Sequence, residues 1–353
     1  MIYIHVPFCH RKCTYCAFYS VRGTDAGILN YVDALLREME MRKGEQVRPV
    51  RTLYFGGGTP SMLPIEQLQR IVAGLHRCFD LSRLEEMTIE ANPEDLTPEY
   101  LASLKTLGFD RISIGIQSLD DDVLRLIGRR HTAEQALAAV DAARAAGFRN
   151  ISVDFIYGIQ NHLDKLEILD NVTHISIYAL TVEPGTALAV QVERGRVTLP
   201  GDDEVVRQYH TLHRMLEDNG FRQYEVSNYA RPGFESRHNS RYWDRTPYLG
   251  LGPGAHSFDG RRRTWNNPDG SVGEETLTEA DAYNETLMTS LRTVRGLPLA
   301  AVPDEHKERL HFAMQPYVDC GWIILQGDHY RPTAEGLLHA DGIASALFMI
   351  SGQ

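Results

Sequence analysis

Cysteine is scarce: five residues in a chain of 353, an odd number. That excludes a fully paired disulfide scaffold and suits a reducing compartment. No apolar run reaches 18 residues, so no membrane-spanning helix is expected. The first apolar run has no basic segment before it and is too short for a secretory signal. The expected location is the cytoplasm, with a peripheral place at the membrane left open. Positive charge is in deficit, 36 Lys plus Arg against 47 Asp plus Glu, for a net charge of −11. This balance argues against nucleic acid as a main partner. Solenoid repeats and low-complexity tracts are absent as well. What is there is a chain with 43% hydrophobic residues, long enough for one large core and a smaller appended domain.

Three of the five cysteines fall within eight residues, Cys9, Cys13 and Cys16, in the spacing C-x3-C-x2-C. They follow a short apolar run, Ile2 to Val6, that reads as a buried strand ended by Pro7. Thiolates that close together in such a chain point to a metal centre. Zinc normally takes four protein ligands, and His5 or His10 could supply the fourth. An iron–sulfur cube also takes four ligands, so three cysteines leave one iron for a ligand that is not protein. The other two, Cys78 and Cys320, sit in helix-like apolar patterns and read as inert core residues.

From residue 1 to about 225, β-rich runs alternate with amphipathic stretches. Strands are expected at Ile2–Val6, Thr52–Phe55, Met87–Ala91, Arg111–Ile116, Ile151–Ile156 and His174–Thr181. Helices are expected near 27–41, 65–77, 97–107, 120–127, 133–146, 163–170 and 203–219. Six βα units in succession predict an α/β fold with a partial (β/α)6 barrel. Ligand-binding residues in such barrels cluster just past the strands' carboxyl ends. The cysteines follow the first run, and Gly56-Gly57-Gly58-Thr59-Pro60-Ser61 follows the second. Three glycines let backbone approach a ligand, or simply make a tight turn into a helix start at Pro60. No Gly-Lys-Ser/Thr follows, so this is not a phosphate loop. Glu90 and Asn92 end the third run, and Gln117 and Ser118 the fourth, with Arg129 and Arg130 beyond. Asp154 is a lone acid in the fifth, and a carboxylate there is costly unless paired or bound to a ligand. Any one of these reads equally well as a satisfied structural group. Together, at the same end of successive strands, they predict a polar site over a barrel mouth.

The motifs Tyr3-Ile-His-Val-Pro-Phe-Cys9, Gly56-Gly-Gly-Thr-Pro-Ser61, Glu90-Ala-Asn-Pro93, Gly115-Ile-Gln117 with Gly128-Arg129, and Asp154 with Tyr157-Gly158 resemble the radical S-adenosylmethionine (SAM) family. The likeness is to its branch related to oxygen-independent coproporphyrinogen III oxidase, and it spans nearly the whole chain. It implies a [4Fe-4S] cluster on Cys9, Cys13 and Cys16, with SAM on the open iron. Gly57, Gly58 and Thr59 would hold the amino end of SAM. Glu90, Gln117, Arg129 and Asp154 would line its pocket, with Tyr3 and Tyr15 packed near cluster and adenosyl group. Reductive cleavage of SAM to a 5′-deoxyadenosyl radical, fed by a flavodoxin or ferredoxin, is the chemistry implied.

Within that branch the porphyrinogen oxidases resemble C-x3-C-x2-C-x-C, whereas Phe18 occupies the last position here. They also carry an extension before the first strand, and this sequence starts on the strand. Both departures favour the HemW-like group of heme chaperones, as does His238-Asn-Ser-Arg-Tyr-Trp243, which resembles the His-Asn-x-x-Tyr-Trp pattern of that group. The implied activity is binding heme and delivering it to respiratory proteins; the alternative is oxidative decarboxylation of coproporphyrinogen III. His238 and His256 are the candidate heme ligands, His238 the favoured one. The bland alternative is that His238, Tyr242 and Trp243 form a structural corner under the barrel. Relatives continue past Tyr157-Gly158 into a fuller helix, and about half a dozen residues are missing here before His174. The expected domains are a barrel over 1–225, an extension over 226–282, and a C-terminal domain over 283–353. The last has helices at Tyr283–Arg292 and Asp304–Asp319, a hairpin around Gly327-Asp328 and a helix from Thr333, an α+β, winged-helix-like pattern.

Overall fold

A computed structural model describes residues 1–45, 48–159 and 168–349. Six parallel strands run in chain order: β1 (Ile2–Val6), β2 (Thr52–Gly57), β3 (Glu86–Ala91), β4 (Arg111–Gln117), β5 (Asn150–Tyr157) and β6 (His174–Ala179). The sheet runs on past residue 225. Strands β7 (Arg222–Gln223) and β8 (Asn228–Ala230) extend it antiparallel beyond β6, and β9 (Leu249–Leu251) joins parallel to β1. The order is β9-β1-β2-β3-β4-β5-β6-β8-β7, so the two ends do not pair and the barrel stays open.

The strands obey a period of two with an unusual assignment. On β4, Ile112, Ile114 and Ile116 are fully buried against the helices. The alternate residues, Arg111, Ser113, Gly115 and Gln117, face the barrel interior. On β5 the interior series is Ser152 and Asp154, on β6 His174 and Ser176, on β2 Thr52 and Tyr54, and on β3 Glu86, Thr88 and Glu90. Barrels of this kind usually fill their interior with branched apolar side chains. Here the apolar core is the outer layer, between sheet and helices, and the lumen is polar. That outer layer is formed with α1 (Asp25–Arg42), α2 (Ile65–Cys78), α3 (Pro98–Thr106), α5 (Ala133–Ala145) and α7 (Asp202–Asp218); α4 (Asp121–Leu126) packs in a smaller cluster with Ile156 and Ile159, and α6 (Ala187–Glu193) meets the cysteine loop. Side-chain N-caps start several of them: Thr24 accepts from the Gly27 N–H, Thr97 from Tyr100, and Thr132 closes a capping box with Gln135.

The helix expected near 163–170 falls mostly outside the described residues; a single 3-10 turn, Leu169–Asn171, precedes β6. Strands β7, β8 and β9 were not anticipated, nor were three further elements. They are α6, the short α8 (Arg237–Trp243), and an antiparallel sheet of β10 (His256–Phe258), β11 (Arg262–Asn266) and β12 (Val272–Thr276). A separate apolar core gathers Tyr283 to Leu347. It is built from α9 (Glu279–Leu291), β13 (Leu297–Pro298), α10 (Asp304–Asp319), β14 (Ile323–Gln326), β15 (His329–Pro332), α11 (Ala334–Leu338) and α12 (Ala340–Ala346). Its sheet order is β13-β15-β14. The core reading of Cys320 is corrected, because it caps α10 and is exposed. Cys78 is half-buried, its thiol 3.4 Å from a Glu40 carboxylate oxygen.

Candidate functional site

The carboxyl ends of β1–β6 open into one cavity of about 530 Å³, ample for a ligand of cofactor size. All three clustered cysteines line it, with Tyr15, Gly57, Gly58, Thr59, Glu90, Asn92, Gln117, Arg129 and Asp154. The cysteine loop is pinned from three sides. Thr14 donates through its N–H to the Ile127 carbonyl (3.0 Å) and through its hydroxyl to that of Leu126 (3.1 Å). The Leu188 N–H donates to the Thr14 carbonyl at 2.8 Å. Beyond Cys9, His10 Nε2 lies 3.4 Å from Asp95, which also accepts from the Ser61 hydroxyl at 2.7 Å. None of the three cysteines is in a disulfide. Burial pushes the Cys16 thiol up, and Cys13 and Cys9 add to that effect.

The glycine triplet does two jobs. Gly57 has φ +114°, and a side chain there would sit 2.7 Å from the His5 ring; at Gly58 it would meet the Phe8 carbonyl at 2.5 Å. Close packing of β2 on the cysteine loop therefore requires both to be glycine. Their N–H groups are taken internally, Gly57 by Glu90 Oε2 (3.1 Å) and Gly58 by the Val6 carbonyl (2.8 Å). Beside them Thr59 Oγ1 is 3.5 Å from Cys9 Sγ.

Arg129 ties the mouth together. Its Nη2 donates to Asn92 Oδ1 (2.7 Å) and the Gly115 carbonyl (2.5 Å), and its Nη1 lies 3.6 Å from Cys13 Sγ. Asn92 in turn donates to Thr59 Oγ1 at 3.4 Å. Gln117 has φ +63° where the β4–β5 register shifts. A non-glycine residue in that region costs about 1 kcal/mol, a strain common at ligand sites. Glu90 and Asp154 face the cavity with no salt bridge among the described residues. Glu90 accepts from the Tyr54 hydroxyl at 2.8 Å, and burial pushes it up to about 7 against that bond. Asp154 is 3.5 Å from the Ser113 hydroxyl and is also raised, chiefly by burial. The lining thus mixes three thiols and the acids Glu90, Asp154 and Glu183 with the cations Arg11, Lys12 and Arg129. A ligand carrying groups of both signs suits such a lining.

Tyr3 lies one layer below the cavity. Its ring stacks on Tyr54 at 6.1 Å and its hydroxyl is 3.1 Å from His5 Nδ1, so it backs the residue that holds Glu90. His238 is elsewhere. It is fully buried at the opposite end of the barrel, with Nδ1 2.9 Å from the Thr52 hydroxyl and Nε2 3.1 Å from that of Tyr242. Burial drops it to about 3. Both ring nitrogens are engaged, so the expectation of a heme ligand is corrected to the structural corner. Asn92, which stood in the Glu90 motif without a role, proves to be the hub joining Arg129 to Thr59. The regular polar alternation on β2–β6 was the signal that could have exposed the whole interior.

Comparison with known proteins identifies the family. Residues 3–171 match the radical SAM superfamily and residues 277–339 the HemN C-terminal domain. The fold is that of Escherichia coli coproporphyrinogen III oxidase (HemN), at a TM-score of 0.84 and 22% identity over 99% of this chain and 89% of that one. Cysteine loop, glycine turn and polar mouth thus define a radical SAM protein. The heme chaperone HemW of Mycobacterium tuberculosis is 36% identical over 98% of this chain and 94% of its own length. That of Bacillus subtilis is 38% identical over 75% and 72%. The chain belongs to the HemW family of the radical SAM superfamily.

Proposed function

We propose that this protein is a heme chaperone that carries a [4Fe-4S] cluster and SAM and delivers heme to respiratory proteins. The observation that carries the reading is whole-length similarity to proteins named as heme chaperones, over a mouth in which the cysteines and the buried acids share one cavity. The donor set fits the cluster. Zinc would need its thiolates about 3.8 Å apart around one ion, whereas a cube takes each on a separate corner. Cys9, Cys13 and Cys16 would hold the cube. The carbonyls of the 57–59 turn and the Glu90 and Asp154 carboxylates would receive the ammonium and hydroxyl groups of SAM. Arg129 and Gln117 would set its orientation, Tyr15 would cover the adenosyl group, and Tyr3 would support the wall from behind. When bound, cluster and SAM would supply one-electron chemistry, with a flavodoxin- or ferredoxin-type donor as the electron source.

Phe18 is 72% exposed at the rim of the cavity, where the porphyrinogen oxidases resemble a further cysteine. The test is anaerobic purification with iron and sulfide reconstitution, then heme titration and coproporphyrinogen III turnover on one sample. Stoichiometric heme binding without decarboxylation is the expected result. Turnover to protoporphyrinogen would overturn it in favour of the oxidase.

A further inference from the structure

A histidine that holds carried heme must offer the iron a ring nitrogen with a free lone pair, where a second protein can reach the heme. His238 meets neither condition. His5, His131 and His174 are buried and bonded, and His10 is paired with Asp95. His256 differs. It is exposed on β10, and among the described residues neither of its ring nitrogens has a hydrogen-bond partner. The strand register sets it directly opposite Trp265 on β11, and the two rings stack at 5.9 Å, 25° from parallel. That pairing orients the imidazole without consuming its nitrogens.

The position relative to the cysteine loop is equally specific. The turn leading into β10 packs on that loop, since a side chain at Gly254 would lie 3.5 Å from the Tyr19 ring and 3.4 Å from His5 Nε2. His5 Nε2 is itself 3.4 Å from the Tyr19 carbonyl. The loop then presents an exposed apolar surface of Phe18 (72%), Tyr19 (37%) and Val21 (41%). A flat apolar ligand with a metal at its centre suits such a surface, because its faces and edges are covered by aromatic carbon while the imidazole takes the iron.

Building on the heme-chaperone reading, we infer that heme is carried at the surface beside the cysteine loop, with His256 as its axial ligand and Trp265 and Tyr19 as its aromatic flanks. This puts the cargo next to the cluster mouth, at the end of the barrel away from His238.

The experiment is a hemin titration of the full-length reconstituted protein and of His256→Ala, read by absorbance and by tryptophan fluorescence. His256→Ala is expected to weaken heme binding about tenfold or more and to lose the imidazole-ligated spectrum. Added free imidazole should restore that spectrum, while iron and sulfide content and the unfolding midpoint stay at wild-type values. Trp265→Phe should remove most of the heme-dependent quenching with a smaller loss of affinity. An unchanged spectrum and affinity in His256→Ala would overturn the site and leave the chaperone reading standing. Failure of the wild-type chain to bind heme stoichiometrically would overturn both.

Discussion

The two ends of this barrel are lined by the same kinds of residue and do opposite things with them. At the floor, Glu86 is 3% exposed and both its carboxylate oxygens accept backbone N–H groups, of Arg237 at 2.9 Å and His238 at 2.8 Å. It caps the start of α8 as a helix N-terminus favours, and α8 delivers His238 between Thr52 and Tyr242. Glu86, Thr52 and His238 are each closed by another part of the chain, while Arg111 beside them keeps Nε and Nη1 without a hydrogen-bond partner. At the mouth, Glu90 and Asp154 are only partly buried, and their remaining bonding capacity points into an open cavity. A buried polar residue is thus a structural pin where the chain returns to satisfy it and a binding group where it does not.

The comparison breaks most visibly at the cysteines. Cys13→Ser should drop the iron of reconstituted protein from about four atoms per chain to about none. Because the thiol is half-exposed, the midpoint of the apo-protein should hardly move. Iron analysis and thermal unfolding on one preparation test both halves. At the floor the effect inverts. His238→Ala should cost about 3 kcal/mol of stability, from a cavity and two stranded hydroxyls, while heme affinity is unchanged in the protein that remains folded. Denaturant unfolding beside heme titration would show it; a loss of heme ligation at full stability would reverse the assignment. Arg129→Lys comes next. Lysine cannot span Asn92, the Gly115 carbonyl and Cys13 together, so SAM affinity should fall about tenfold with the cluster retained, as equilibrium binding would measure.

The smallest and sharpest test is by pH. Glu90 is raised from 4.5 to about 7, and so is Glu225, which is 1% exposed and sealed from the cavity. In each case the folded state keeps a proton that the unfolded chain has released, so stability is greatest below about 4.5 and falls as pH rises to about 7. Glu90→Gln and Glu225→Gln should each flatten that fall in denaturant titrations. SAM carries positive charge to the mouth alone, so saturating SAM should flatten the slope in Glu225→Gln and act in Glu90→Gln only through Asp154, a smaller change.

Much of this was legible beforehand. Five of the six barrel strands ran one to two residues longer or shorter than periodicity placed them, and Asp304–Asp319 came out as read. The cysteine spacing and the polar residues at the strand ends were sufficient to place the mouth, because a strand's carboxyl end is a local property of the chain. The role of His238 was not legible. Its nearest partner in sequence is Tyr242, but what decides its function is Thr52, 186 positions earlier. The joining of β9 to β1 was equally hidden, since three residues of strand carry no address in their own composition.

The sequence by itself determined the alternation, the caps and the thiolate spacing, since these depend on neighbours a few positions apart. Only the tertiary structure decided which buried polar groups are closed and which stay open. That depends on whether a distant segment returns to supply the missing hydrogen bond. His238 was met by such a segment, Glu90 only in part, and His256 was left at the surface with its ring nitrogens unpartnered among the described residues.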